Sequence, residues 1–124
     1  MKPLKLKKTA LVTSALLAAT VLVPLATATP AQAHAPCGRS APDLDHRAWE
    51  RTVVNHANQR TGSSTRCASR GMAESNDVLD YHCFTRAEDG RTWTFVTNDS
   101  ARDRRGWIRD DMLRDNGSDR NCGL

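Results

Sequence analysis

Four cysteines, Cys37, Cys67, Cys83 and Cys122, are the strongest constraint on what this chain of 124 residues can fold into. They form an even set, and none of their spacings is the CxxC pair of a zinc knuckle, so two disulfides are the expected use and a metal site is not. Four cysteines allow three pairings, and sequence does not choose among them. Topology weights the choice: Cys67 and Cys83 flank a segment that reads as a strand reversal, whereas Cys37 and Cys122 stand in polar flanks. The expectation is an inner bridge, Cys67 to Cys83, and a terminal clasp, Cys37 to Cys122.

Disulfides belong to an oxidising compartment, and the start of the chain agrees with one. "MKPLKLKK" is a basic opening followed by an apolar run from Ala10 to Ala26, and "ATATPAQA" places Ala31 and Ala33 as the small residues of a cleavage site. Residues 1–33 therefore read as a signal peptide, cut before His34. The apolar run, broken by Thr20 and Pro24, is short of the roughly 20 residues that span a bilayer. A secreted, extracellular protein is expected, free of the membrane once the leader is removed.

All four lysines lie in that leader, and the formal charge of +4 lies with them. Residues 34–124 carry fourteen arginines against fourteen carboxylates. A nucleic-acid partner would need a retained basic face. The densest basic stretch, "SARDRRGWIRDD", instead interleaves its arginines with Asp103, Asp110 and Asp111 and reads as a self-neutralised surface.

What remains suffices for one small monomeric domain. Residues 34–50 form a polar N-terminal segment, 51–114 the packed unit, and 115–124 a tail held by a disulfide; both flanks look loose. At this size only about 60% of the unfolded chain's surface is buried, and cross-links reinforce a marginal core. The interior reads as strands. In "VLDYHCF", Leu79, Tyr81 and Cys83 alternate with Asp80 and His82, and in "RTWTFVT", Trp93 and Phe95 alternate with threonines, the period of a half-buried strand. Asp89-Gly90 between them is a hairpin-turn pair. "TNDSARDRRG" reads as a longer loop into the strand "GWIR". Only "DLDHRAWERTVV" shows helical spacing, through Leu44, Ala48 and Trp49.

Three blocks carry a resemblance. "ANQRTGSST" supplies Asn58, Arg60, Gly62 and a Ser/Thr turn; "RGMAESNDVLDYHCF" is a strand-turn-strand unit with Gly71; "WTFVTNDSARDRRGWIRDDML" closes with Gly106, Trp107, Ile108 and Leu113. In this order they resemble the bacterial SH3-like (SH3b) domain over Thr52 to Leu113. The resemblance implies an all-β, SH3-like barrel of about five strands and a non-catalytic module that binds cell-wall peptidoglycan or another peptide in a shallow groove. By that analogy the ligand-binding candidates are Asn58, Arg60, Tyr81, Trp93 and Trp107. Trp93 and Trp107 have a competing reading as core, because an aromatic side chain is first a large buried area. The sequence departs from the family at Gln59 and "ASR", where apolar residues are common, at Ser63, where proline is common, and at Asn76, which stands for a glycine.

On this reading "NQRTGSST" is the bend leaving the first strand, with Gly62 supplying backbone freedom and the hydroxyls capping turn amides. It is not a nucleophile loop, since a catalytic serine needs a base and an orienting group. His34 and His46 lie in the polar flank, and His56 and His82 read as edge histidines facing polar neighbours. No catalytic residue and no cofactor are expected. The competing function is a small secreted inhibitor of an exported protease or other enzyme, a secreted protein partner being held by "TRAEDGRT" or "TNDSARDRRG".

Overall fold

The structure, a computed structural model, describes residues 34–124; the signal-peptide reading falls on residues 1–33, outside the described residues. Five strands form where the period-two segments and turns place them: β1 (Ala57–Arg60), β2 (Ser69–Ala73), β3 (Leu79–Arg86), β4 (Thr92–Asn98) and β5 (Arg104–Arg109). They make one antiparallel sheet in the order β2-β1-β5-β4-β3. The expected all-β, disulfide-linked chain is present. Among the described residues no ladder joins the outer strands β2 and β3, so the five strands form one unclosed sheet, and the pairing does not complete a barrel.

The turns have local causes. Between β3 and β4, Ala87 and Arg91 close the loop by Ala87 N–H to Arg91 O at 2.7 Å, and Gly90 takes φ +84°, which glycine adopts without steric cost. Between β4 and β5 the strands run further than the sequence suggests. They leave a single 3-10 turn, Asp99–Ala101, followed by Arg102 and Asp103 at positive φ. Asn76 does not adopt the left-handed conformation expected of a glycine substitute. Its turn is closed instead by Asp77, whose amide donates to Glu74 O while its carboxylate accepts the Glu74 amide.

Both faces of the sheet are packed. Register puts Trp93, Phe95, Trp107 and Arg109 on one face, with Thr94, Val96, Ile108 and Asp110 on the other. The first face holds the cluster of Cys83, Trp93, Phe95 and Trp107 under Ala35; the second holds Ala57, Leu79, Tyr81, Val96, Ile108 and Leu113. Leu79, Tyr81 and Cys83 were expected to share one face. A bulge at His82 places Tyr81 opposite Val96 and Cys83 opposite Phe95, so the extra residue sends the cysteine to the other side.

The flanks are not loose. Ala35 and Asp45 are buried, and Trp107 Nε1 donates to Arg39 O at 2.7 Å, so residues 35–41 lie across the middle of the first face. Residues 43–54 form no helix. Leu44 and Trp49 are exposed, which leaves a helix no apolar stripe to bury, and the backbone pairs with the sheet through Glu50 with Leu79 and Thr52 with Leu113. The disulfides are Cys37–Cys67 and Cys83–Cys122, not the expected inner bridge and terminal clasp. Cys83 sits on β3 and Cys67 in the β1–β2 loop, each nearer to a flank than to the other. The C-terminal residues pair in parallel with β3, with Cys122 N–H donating to Phe84 O at 2.8 Å.

Candidate functional site

The N-terminal crossing divides the first face into two recesses. At one end, cross-strand pairing sets Trp93 beside Arg109 and Arg60 beside Trp107, and the strand period puts Asn58 on the same side as Arg60. Asn58, Arg60 and Trp93 converge there with Thr65, Arg109 and Met112 around a recess of about 40 Å³. It adjoins a groove of about 350 Å³ through the shared Thr65, Trp93 and Arg109; the walls are the Ser63–Cys67 loop on one side and Ala87–Asp89 on the other.

The other two sequence candidates lie elsewhere. Trp107 is fully buried beneath the N-terminal segment. Tyr81 is buried on the opposite face, its hydroxyl donating to Arg114 O, and burial pushes its phenol well above the ordinary value. Sequence period made Trp93 and Trp107 equivalent; the path of residues 35–41 covers one and leaves the other at a groove. Arg109 and Thr65 were missed because neither is distinguished from its neighbours until β1 and β5 pair.

The lining of the small recess is cationic, through Arg60 and Arg109, whereas the adjoining groove sets Glu88 and Asp89 against Arg66 and Arg109. Arg60 Nη1 donates to Cys67 O at 2.9 Å, which holds its guanidinium against the disulfide loop. Arg109 Nε donates to Asp111 at 2.6 Å, and its terminal nitrogens have no acceptor among the described residues. Trp93 is 4% exposed, and its indole Nε1 is buried with no partner among the described residues. Leaving a buried donor unpaired costs about 1–3 kcal/mol.

The "NQRTGSST" stretch is a bed for the N-terminal segment. A Cβ on Gly62 would meet the backbone of Ala35, Pro36 and Cys37 at 2.7–2.8 Å, so glycine is required for close approach rather than for an unusual φ. Ser64 caps a turn as expected, accepting from the Arg66 amide. Ser63 Oγ accepts from the Ala35 amide at 2.9 Å and lies 3.0 Å from His34 Nδ1. A serine and a histidine thus meet, yet the hydroxyl is fully buried and occupied by Ala35, out of reach of a substrate.

At the other end, a recess of about 450 Å³ lies among Asp43, Trp49, Asp80, His82, Thr97 and Arg105. His82 was expected at an edge facing polar neighbours; the bulge instead buries it edge-on against Phe95, with Nε2 2.9 Å from Thr97 Oγ1 and 3.5 Å from Asp80. Ligating atoms of Asp43, Asp80 and His82 lie within 4.8 Å of one another. Burial, then the charge of Asp43, pushes the Asp80 carboxyl up from its ordinary value. The cysteines can ligate nothing, since all four are in disulfides. Among the described residues no helix is long and apolar enough to cross a membrane. Comparison with protein-family models, with curated proteins and with solved structures finds no match to this chain.

Proposed function

We propose that the protein is a secreted, non-catalytic binding module whose groove takes a peptide, carried by cell-wall peptidoglycan or by another secreted chain. The observation that supports this reading is the groove at Trp93. It is a depression with one wall tied down by Cys37–Cys67 and the other formed by a stapled hairpin, so its walls are in place before a ligand arrives. Preorganised walls reduce the ordering cost of binding. Export is supported by the leader pattern in residues 1–33 and by two disulfides, which persist in oxidising surroundings. The resemblance of "ANQRTGSST" and "GWIR" to SH3-like modules points to the same class of ligand. Sedimentation of the oxidised protein with insoluble peptidoglycan, at low and moderate salt and beside a reduced, alkylated control, tests it. Salt-resistant, fold-dependent co-sedimentation is the expected result; a protein that stays in the supernatant at both salts removes the wall ligand.

The inhibitor reading is favoured by one feature. The exposed tip Glu88–Arg91 is held by Gly90 N–H to Ala87 O and by Arg86 Nη1 to Gly90 O, as a rigid inhibitory loop would be. Stoichiometric inhibition of a secreted protease, abolished by altering this tip, would carry it.

A further inference from the structure

We infer that the small recess between Arg60 and Arg109 is a carboxylate site, and that the peptide of the proposed module is anchored there by a free carboxyl group. The inference rests on the peptide reading of the groove and adds the chemistry that selects the ligand. Two arginines and, among the described residues, no acidic residue line the recess. Asp111 engages only Nε of Arg109, and Cys67 O only Nη1 of Arg60, so guanidinium donors of both remain without a protein acceptor among the described residues. A planar guanidinium matches the two oxygens of a carboxylate, and a charge-assisted pair is roughly twice as strong as a neutral hydrogen bond. Trp93 lines the same recess, so its indole resonance reports occupancy, while the N–H itself is sealed from solvent.

Size and position narrow the ligand further. The recess, about 40 Å³, is small beside the adjoining groove of about 350 Å³. A compact group such as a carboxylate suits the recess, and the bulk of a ligand falls to the groove. Because the recess opens into the larger groove through Thr65, Trp93 and Arg109, a chain bound by its terminal carboxylate has room to continue between the Ser63–Cys67 loop and the hairpin.

The test is a nuclear magnetic resonance titration of the oxidised protein, following the Trp93 indole N–H, with N-acetyl-alanyl-alanine, its carboxamide, and sodium acetate. The acid is expected to shift the Trp93 resonance saturably, with an affinity about tenfold or more above that of the carboxamide and of acetate, and Arg109→Gln and Arg60→Gln each to lower it about tenfold. Equal affinities for acid and carboxamide overturn the inference, and so does acetate matching the dipeptide, which would make the recess an anion site without a peptide. Both comparisons use the unaltered protein and stand even if a variant fails to fold. If the acid leaves Trp93 unmoved while peptidoglycan still sediments the protein, the carboxylate anchor fails and the binding module stands. If the acid binds and the wall does not, the anchor stands and the wall ligand fails.

Discussion

At the scale of single residues, two buried carboxylates have opposite fates. Asp110 lies beneath the sheet with hydrogen bonds from Thr92 and Thr94 and, among the described residues, no cationic partner; burial outweighs the hydrogen bonds, pushing its carboxyl up to about 6. Asp45 is also buried, which pulls its pKa upward, yet hydrogen bonds from Arg47 and Ser118 more than offset this and hold it at about 2. A raised folded pKa contributes stability that is complete below the ordinary carboxyl value and is lost as pH rises through about 6. A depressed one contributes stability above the ordinary value and loses it as pH falls toward 2. The two slopes oppose each other, so between them stability peaks near about pH 4. Urea midpoints of Asp110→Asn are expected to lose most of the decline between about pH 4 and 6, worth roughly 3 kcal/mol at most; an unchanged decline would assign it to another group. Gly62→Ala is expected to cost roughly 1–3 kcal/mol, because the methyl group must displace the backbone of residues 35–37. Its signature is faster exchange of the Gly38 amide, which donates to Thr61 O; unchanged protection would mean that the crossing segment can shift.

At the scale of elements, Gln59 shows how a departure from an apolar pattern is absorbed. On β1 it is fully buried. Nε2 donates to Val96 O and Arg104 O, and Oε1 accepts from Arg104 Nε at 2.9 Å, so the side chain ties β1 to β4 and β5 as an apolar residue could not. Where an apolar residue is common in the family the sequence resembles, a satisfied polar network fills the space. Gln59→Leu removes the acceptor from Arg104 Nε and is expected to lower stability by roughly 1–3 kcal/mol in urea titration. A neutral result would show that water or a rotated Arg104 replaces the amide. Strands β3 and β4 were legible because alternation and Asp89-Gly90 are local signals. The bulge at His82 was not: an extra residue is defined by its partner strand, and nothing within "DYHCF" announces which residue will be unpaired.

At the scale of the molecule, the cross-links pin the two flanks to the sheet. Cys37–Cys67 closes a separation of 30 residues and Cys83–Cys122 one of 39, and the chain-entropy model assigns each about 3–4 kcal/mol. Native stability is about 0.05–0.15 kcal/mol per residue, so losing both approaches or exceeds the whole. Reduction and alkylation are expected to abolish cooperative unfolding and the near-ultraviolet circular dichroism of the tryptophans, while either double Cys→Ser pair alone leaves a weakened but folded protein. Non-reducing peptide mapping is expected to join the Cys37 and Cys67 peptides; a Cys67–Cys83 peptide would contradict the topology. By itself the sequence determined the approximate strand positions, the Asp89-Gly90 turn, the even cysteine set and the cancelled charge of residues 34–124, because each is carried by neighbouring residues or by simple counting. Only the tertiary structure decided which cysteines pair, that the polar flanks are packed, and that Arg60, Trp93 and Arg109 meet while Tyr81 and Trp107 are buried elsewhere. Those outcomes depend on where residues 35–41 cross the sheet and on the register of β1 against β5, and such contacts form between segments whose local patterns carry no record of one another.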